Sequence, residues 1–469
     1  MIASKHLSGL ADALSAKLIG DDAETGSVSI NTRTLQPGQL FVAIKGPNFD
    51  GHRYVEAALE KGACGAVVSE KGGGLPRVLV QDTEDALTAI GRLNRDAFGG
   101  LVLGVTGSSG KTSVKEMLAA IFSQVGETLS TKGNLNNAYG VPVTLSGLTD
   151  DHKFAVVEMG TNSPGEIAHL TSIVRPHISM VNNAGGSHIA GLGGLAGVVQ
   201  EKGAIFDRLP EDGCAIINLD DAHAEIWRER VAKNSGCRVA TFSLKNQDAT
   251  SRAEDIVTED DGMHFTLHLD GKNTPVHLQF WGKHQVTNAC AAAAVAYAAG
   301  IDIETIAAGL GEARPYARRG QRFRTGSGAL IIDESYNANP ESTQASIDEL
   351  VDCDGYRILI VGDMSEEHFE SEKDGIRLHR ELGKYARKAG IDRVLTYGNW
   401  SSHLHTGFKG EGKHFTDKQE LCDWLLPHLN PGVVVLVKGS FTAGMNQIVS
   451  ACLADSAVDN STETATEGN

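Results

Sequence analysis

Short apolar runs rich in Val, Ile and Leu recur along the chain: LVLGVT (101–106), FAVVEM (154–159), ISMVNN (178–183), CAIINLD (214–220), ALIIDE (329–334), RILIVGD (357–363), RVLTYG (393–398) and VVVLVKG (433–439). They alternate with stretches of helical spacing, which predicts parallel strands covered by helices. Residues before 99 differ: QLFVAIKG (39–46) and CGAVVSE (64–70) read as strands among Pro, Gly, Asn and Asp turns, with GGGLP (72–76) and FGG (98–100) as breaks. A second break falls at GEARPYARRG (311–320). The expectation is an α/β protein of three domains, 1–98, 99–314 and 315–455, the central one built on a mainly parallel sheet. Residues 456–469 form a polar, acidic, aromatic-free tail, which cannot bury enough surface to offset its ordering entropy and is expected to be disordered.

The run at 101–106 leads straight into Thr106, Gly107, Ser108, Ser109, Gly110, Lys111, Thr112 and Ser113. Val114, Met117, Leu118, Ile121 and Phe122 then follow at helical spacing. Strand, glycine turn and helix start in this order make a phosphate-binding loop: backbone N–H groups close round phosphate oxygens, the helix N-terminus adds partial positive charge, and Lys111 neutralises the β and γ phosphates. Thr112 would ligate magnesium. Val105 stands where the general GxxxxGK[ST] pattern has its first glycine. A glycine turn before a helix can also arise by chance, and such a loop alone leaves GTPase switch, kinase, motor, transporter subunit and ligase open.

Phosphoryl transfer needs a metal held opposite the loop, and Glu158 ends its strand where a carboxylate ligand would stand. His188 follows in a glycine-rich loop at the C-terminal edge of the sheet, where α/β sites gather. Alone it is an ordinary loop histidine; beside Glu158 it becomes a metal-ligand candidate. Lys202 lies in a helix, LAGVVQEKGAIFDRL, and spacing alone marks it as a solvated face.

Forty-one per cent apolar residues supply ample cores for a 469-residue chain. No apolar run reaches the ~20 residues that span a bilayer, and the N-terminus lacks signal-peptide character, so a cytoplasmic protein is expected. Seven scattered cysteines without a CxxC pair read as reduced and structural. A net charge of −17 disfavours nucleic acid as a partner.

Several stretches together resemble the Mur ligase family, over about residues 27–450, and within it the branch that adds D-alanyl-D-alanine. They are TGSSGKTSVKEM (106–117), TKGNLNNAYGVP (131–142), VEMGTNSPGEI (157–167), NNAGGSHIAGLGGLAGVVQEKGAIF (182–206), GKHQVTNACAAAA (282–294), DESYNANPES (333–342) and VLVKGS (435–440). The resemblance implies an N-terminal UDP-sugar-binding domain, a central ATPase domain and a C-terminal Rossmann-like domain. It implies ATP and two magnesium ions, with Thr112, Glu158, His188 and a carbamylated Lys202 (N6-carboxylysine) as ligands. His284, Asn288, Asp333, Asn337 and one of Arg319 and Arg322 are implied ATP contacts. Thr32, Arg33, Asp50 and His52, in a turn with Phe49 and Gly51, and the asparagine-rich loop of Thr131, Asn134, Asn136 and Asn137 would meet the UDP-sugar. Turn chemistry is an equal reading of that loop, because asparagine tolerates left-handed backbone.

The implied reaction joins D-alanyl-D-alanine to UDP-N-acetylmuramoyl-tripeptide in a monomeric enzyme. Two departures bear on the acceptor: Phe441 follows VLVKGS where relatives usually carry arginine, and residues 362–367 read GDMSEE rather than GDMxEL. A folylpolyglutamate synthase shares the loop but not DESYNANP. A non-catalytic nucleotide-binding scaffold is opposed by Lys111, Thr112, Glu158, His188 and Lys202 all standing in place.

Overall fold

A computed structural model describes residues 1–46, 49–70, 72, 76–185, 191–233, 236–364 and 371–462, with side chains to 454. Three sheets follow one another along the chain. In the first, Val28–Ser29, Leu40–Val42, Gly65–Val68 and Arg77–Leu79 run parallel and Lys17–Ile19 closes the edge antiparallel. The side-chain period of two splits its third segment between two cores. Leu40 and Val42 join Leu7, Leu10, Leu87 and Ile90, while Phe41 and Ala43 join Val55, Ala58 and Ala66.

The central sheet has nine strands. Thr128–Ser130, Phe154–Glu158, Leu101–Thr106, Ile178–Val181, Cys214–Asn218 and Arg238–Ser243 lie side by side in parallel. Ser251–Glu259, Gly262–Leu269 and Lys272–Leu278 extend it as an antiparallel meander. The helix Lys111–Ser123 buries the expected stripe completely, Val114 through Phe122. It packs beside Lys283–Ala298, whose run of fully buried alanines lets helix and sheet come close. Gly309 permits a still closer crossing, since a Cβ there would lie 2.4 Å from Ile121 Cα.

In the third sheet Leu330–Glu334, Val433–Lys438, Tyr356–Gly362, Arg393–Tyr397 and Glu411–Phe415 are parallel, and Gln321–Arg324 pairs antiparallel with the first. All the apolar runs picked out from the sequence contain strands of these sheets. The tail departs from expectation: the last helix spans Asn446–Thr462, so 456–462 is helical, while 463–469 lies outside the described residues. Ile448, Val449 and Cys452 anchor its first turns in the core, and once a helix is nucleated by packing, each further residue adds a hydrogen bond at little cost. No described helix is long and apolar enough to cross a membrane, and none of the seven cysteines forms a disulfide.

The first and second sheets are joined through the helix Thr83–Ala97, which lies on Gly140–Ser146. Asn94, fully buried there, accepts from the amides of Ile2 and Ala3 at 2.6 and 3.1 Å and donates to the carbonyls of Leu145 and Leu148 at 2.7 and 3.1 Å. Asn94→Ala leaves these groups without partners, and buried unsatisfied groups cost about 1–3 kcal/mol. A lowered Tm in calorimetry, with the secondary structure unchanged, is the expected outcome; an unshifted Tm would show that water replaces the side chain.

Candidate active site

The phosphate loop leaves the central sheet between its two neighbours, with Phe154–Glu158 on one side and Ile178–Val181 on the other. Gly110, at φ 77°, turns the chain into the helix Lys111–Ser123. A Cβ on it would lie 2.3 Å from Asn182 Nδ2 and 2.5 Å from Asn288 Oδ1. Gly107 is held as closely, its missing Cβ 2.9 Å from that of Asn182. Asn182 donates to the Ser109 carbonyl at 3.0 Å and to Asn288 Oδ1 at 2.9 Å, so Asn288 lies beneath the loop as a support. The Ser109 amide donates to Asn183 Oδ1 at 2.9 Å, the Gly185 amide to Ser108 Oγ at 2.9 Å, and the Thr106 hydroxyl to the Met159 carbonyl at 2.8 Å. Ser113 is buried in the first helical turn. Lys111 Nζ curls back to the Gly107 carbonyl at 2.6 Å. Burial, with Arg319 adding to it, lowers the Lys111 pKa against the opposing attraction of Glu158.

Glu158 is buried beside this lysine. Its Oε2 accepts from Thr112 Oγ1 at 3.0 Å and its Oε1 from Asn136 Nδ2 at 2.8 Å, while its amide donates to Thr131 Oγ1 at 2.9 Å. Lys115, also buried, donates to the Thr131 carbonyl at 2.9 Å. Thr131 and Asn136 therefore hold Glu158 from its backbone amide and its carboxylate. Asn137 accepts from the amides of Tyr139 and Gly140 at 3.2 and 2.9 Å, which is turn chemistry at a helix start, and Asn134 is exposed. Lys202 departs from the solvated face that spacing suggests: it is buried on Leu195–Gly203. Burial, and next the Lys111 charge, push its amine well below the ordinary lysine range, with Glu201 opposing. His188 lies outside the described residues.

The third domain brings more charge to the loop. Arg319 stacks 4.0 Å over the Tyr336 ring and lies close enough to Lys111 to act on its charge. Arg322 turns away, pairing with Glu349 at 3.0 Å and stacking 4.4 Å over Trp281. Asp333 is buried, accepting from the Ser335 amide and hydroxyl at 3.0 and 2.6 Å; burial raises its pKa. Asn337 is exposed, its Oδ1 accepting from the Ala338 amide at 2.7 Å. The sequence reading missed Glu334 and Lys438, register partners at the ends of adjacent strands, joined at 2.9 Å. Burial raises the Glu334 pKa, but Lys438, His284 and Arg319 outweigh it and the net direction is down. His284, at the start of Lys283–Ala298, thus faces this pair across the domain junction; its own pKa is lowered by burial. The available signal was a charged residue closing each of two apolar strands. Phe441 meets Tyr336 edge-on at 5.9 Å, and the Arg318 guanidinium lies 5.9 Å from its ring.

A cavity of about 1160 Å³ opens between the first and second domains, lined among others by Thr32, Arg33, Phe49, Tyr54, Lys132 and Leu135. Asp50 and His52 are not part of its lining. Asp50 caps a short helical turn by accepting from the His52 amide at 3.0 Å and contacts its ring at 2.8 Å, while His52 Nε2 accepts from the Ser69 amide at 3.0 Å.

Comparison with known proteins matches this architecture piece by piece. The models described as Mur ligase family, catalytic domain, as Mur ligase middle domain, and as Mur ligase, glutamate ligase domain match residues 24–90, 105–296 and 318–441. The UDP-N-acetylmuramoyl-tripeptide–D-alanyl-D-alanine ligase of Escherichia coli (strain K12) is 41% identical, over 96% of this chain and 98% of that protein. The chain belongs to the Mur ligase family. Among Mur ligases of known structure, MurF from Acinetobacter baumannii agrees with a TM-score of 0.85 at 29% identity, covering 95% of this chain and 98% of that one. MurF ligase from Thermotoga maritima, solved in complex with ADP, agrees with a TM-score of 0.77 at 25% identity, covering 92% and 98%.

The two arginines should separate in their effects. Arg319→Ala lowers ATP turnover by about 10²–10³-fold, the scale of a lost electrostatic donor, whereas Arg322→Ala acts first on Tm; equal kinetic losses in both would contradict the division. Burial pushes the Glu349 carboxyl up to about 7, against the opposing pull of Arg322. The folded chain keeps a proton that the unfolded chain releases near 4.5, so this group makes stability fall as pH rises from about 4.5 to about 7, by up to ~1.4 kcal/mol per pH unit. Denaturant unfolding of Glu349→Gln across this window should show a flatter slope than the unsubstituted chain; an identical slope would place the buried proton elsewhere.

Proposed function

We propose that this Mur ligase joins D-alanyl-D-alanine to UDP-N-acetylmuramoyl-tripeptide at the expense of ATP, giving UDP-N-acetylmuramoyl-pentapeptide, ADP and phosphate. The observation that carries the reading is the 41% identity with the Escherichia coli ligase of that name across nearly the whole of both chains. Geometry supports it through a phosphate loop whose Lys111 is faced by Arg319 of the third domain, and through a separate cavity between the first and second domains.

A carboxylate oxygen of the tripeptide attacks the γ-phosphorus of ATP, forming an acyl phosphate and releasing ADP. The dipeptide amine then attacks the acyl carbon, loses a proton, and the tetrahedral intermediate collapses to amide and phosphate. The chain's own groups do this mainly by positioning and charge. Loop amides and Lys111 bind the phosphates, Arg319 faces Lys111 from the other domain, and closure of the third domain keeps water from the acyl phosphate. The UDP-sugar occupies the cavity lined by Thr32 and Arg33, and the acceptor approaches past Phe441 and Arg318.

The Thr112 hydroxyl and Glu158 carboxylate, 3.0 Å apart and buried, are hard oxygen donors of the kind Mg²⁺ takes. Together with Lys202 as a carbamate they would hold the ion, which when bound neutralises phosphoryl charge. Lys202 suits that modification, because burial lowers the pKa of its amine and the unprotonated amine is the form that adds to carbon dioxide.

Phosphate release from ATP is measured with UDP-N-acetylmuramoyl-tripeptide, with and without D-alanyl-D-alanine, alongside mass detection of the pentapeptide. Release and product that both require the dipeptide are expected; no product at any dipeptide concentration would overturn the assignment. Lys202→Ala should lower turnover at least roughly 100-fold, as loss of a preorganised charge does, with partial rescue by short-chain carboxylic acids. Unchanged activity in that variant would sink the modified-lysine role.

A further inference from the structure

The outer edge of the nine-stranded sheet carries a second cluster of chemistry, on the hairpin Gly262–Leu269 and Lys272–Leu278, at the opposite end of the strand order from Thr128–Ser130. His264 and His277 are register partners across that hairpin, and their rings stack with centroids 4.4 Å apart and planes 7° apart. Asp261 precedes the first strand, with Oδ1 3.0 Å from His264 Nε2 and Oδ2 3.2 Å from His277 Nε2. Glu259 adds a carboxylate oxygen 3.7 Å from His264 Nε2. One donor atom from each of Asp261, His264 and His277 lies within 4.8 Å of the other two.

Two imidazoles and a carboxylate aimed at one point, on a hydrogen-bonded ladder that fixes their backbones, are a donor set with a chemical preference. We propose that Asp261, His264 and His277 bind a borderline divalent transition cation, of which Zn²⁺ is the type, at a site separate from the nucleotide loop. Imidazole nitrogen suits Zn²⁺, Cu²⁺ and Ni²⁺, whereas Mg²⁺ and Ca²⁺ take oxygen. All three side chains are partly exposed, so the rings can rotate to the ~2.0–2.2 Å distances of zinc coordination. The other grouping of this kind among the described residues, Asp50, His52 and Glu70, is unlike it: His52 Nε2 accepts from the Ser69 amide, and the Asp50 oxygen that meets Nδ1 also accepts from the His52 amide, so backbone groups hold both the ring and the carboxylate.

The hairpin cluster also has a structural neighbour through which binding would be felt. Trp281 donates from its indole to the Glu259 carbonyl at 3.2 Å, and its ring carries the Arg322 guanidinium at 4.4 Å. A cation joining the strands therefore stiffens the seam where the second domain meets the third.

The test uses the full chain, treated with chelator and returned to excess Mg²⁺ so that hard oxygen sites are filled. Zn²⁺ is titrated calorimetrically near neutral pH, and Co²⁺ is followed by its visible absorption. One equivalent of Zn²⁺ and a cobalt band are expected, with a Zn²⁺-dependent rise in Tm. His264→Ala and His277→Ala should each weaken this equivalent at least roughly tenfold, the lower range for losing even an outer partner of a metal site, and should abolish the cobalt band. Zn²⁺ binding that both variants retain in full, or no binding by the unsubstituted chain at millimolar Zn²⁺, would overturn the proposal.

Discussion

The central domain is organised by the contact between a bare backbone and two asparagines. At Gly107 and Gly110 the phosphate loop presses so closely on Asn182 and Asn288 that no side chain fits between them. Asn182 in turn ties the Ser109 carbonyl to Asn288. Residues from a strand end, a loop and a distant helix are thereby fixed to one point, and the curvature of the loop follows from what lies beneath it. The buried alanines of Lys283–Ala298 serve the same end, because a helix of larger residues would stand farther from the sheet and Asn288 would miss the loop.

A second layer of support surrounds Glu158. Asn136 donates to this carboxylate, Thr131 accepts from the Glu158 backbone amide, and Lys115 fixes Thr131 through its carbonyl. Groups that orient a carboxylate determine which lone pairs remain available to it, so the asparagine-rich segment supports Glu158 while its Lys132 and Leu135 line the cavity between the first and second domains.

The order of strands and helices was legible because parallel strands buried on both faces read as continuous apolar runs. The meander Ser251–Glu259, Gly262–Leu269 and Lys272–Leu278 was not, because residues such as His264, Thr266 and His268 alternate with buried neighbours and interrupt any run. The loop, Lys111, Thr112 and Glu158 could be found from local pattern alone. Lys202 could not: whether a helical lysine faces solvent depends on what packs against it, and here the rest of the domain buries it. Arg319 and Arg322 look equivalent in sequence, and only Tyr336, Trp281 and Glu349 send them in different directions. Asp50 and His52 sit in a recognisable motif, yet their polar atoms are turned to one another and to Ser69.

Charge at the junction has a mechanical consequence. Lys111 and Arg319 belong to different domains and carry the same sign, and each makes the other's approach less favourable. A polyanion seated between them reverses that sign and turns two surfaces that push apart into two that clamp. Assembly of the complete site is then conditional on its cargo: the nucleotide is the mortar between the blocks, and the protein need not store a separate spring to open once that mortar has been converted and released.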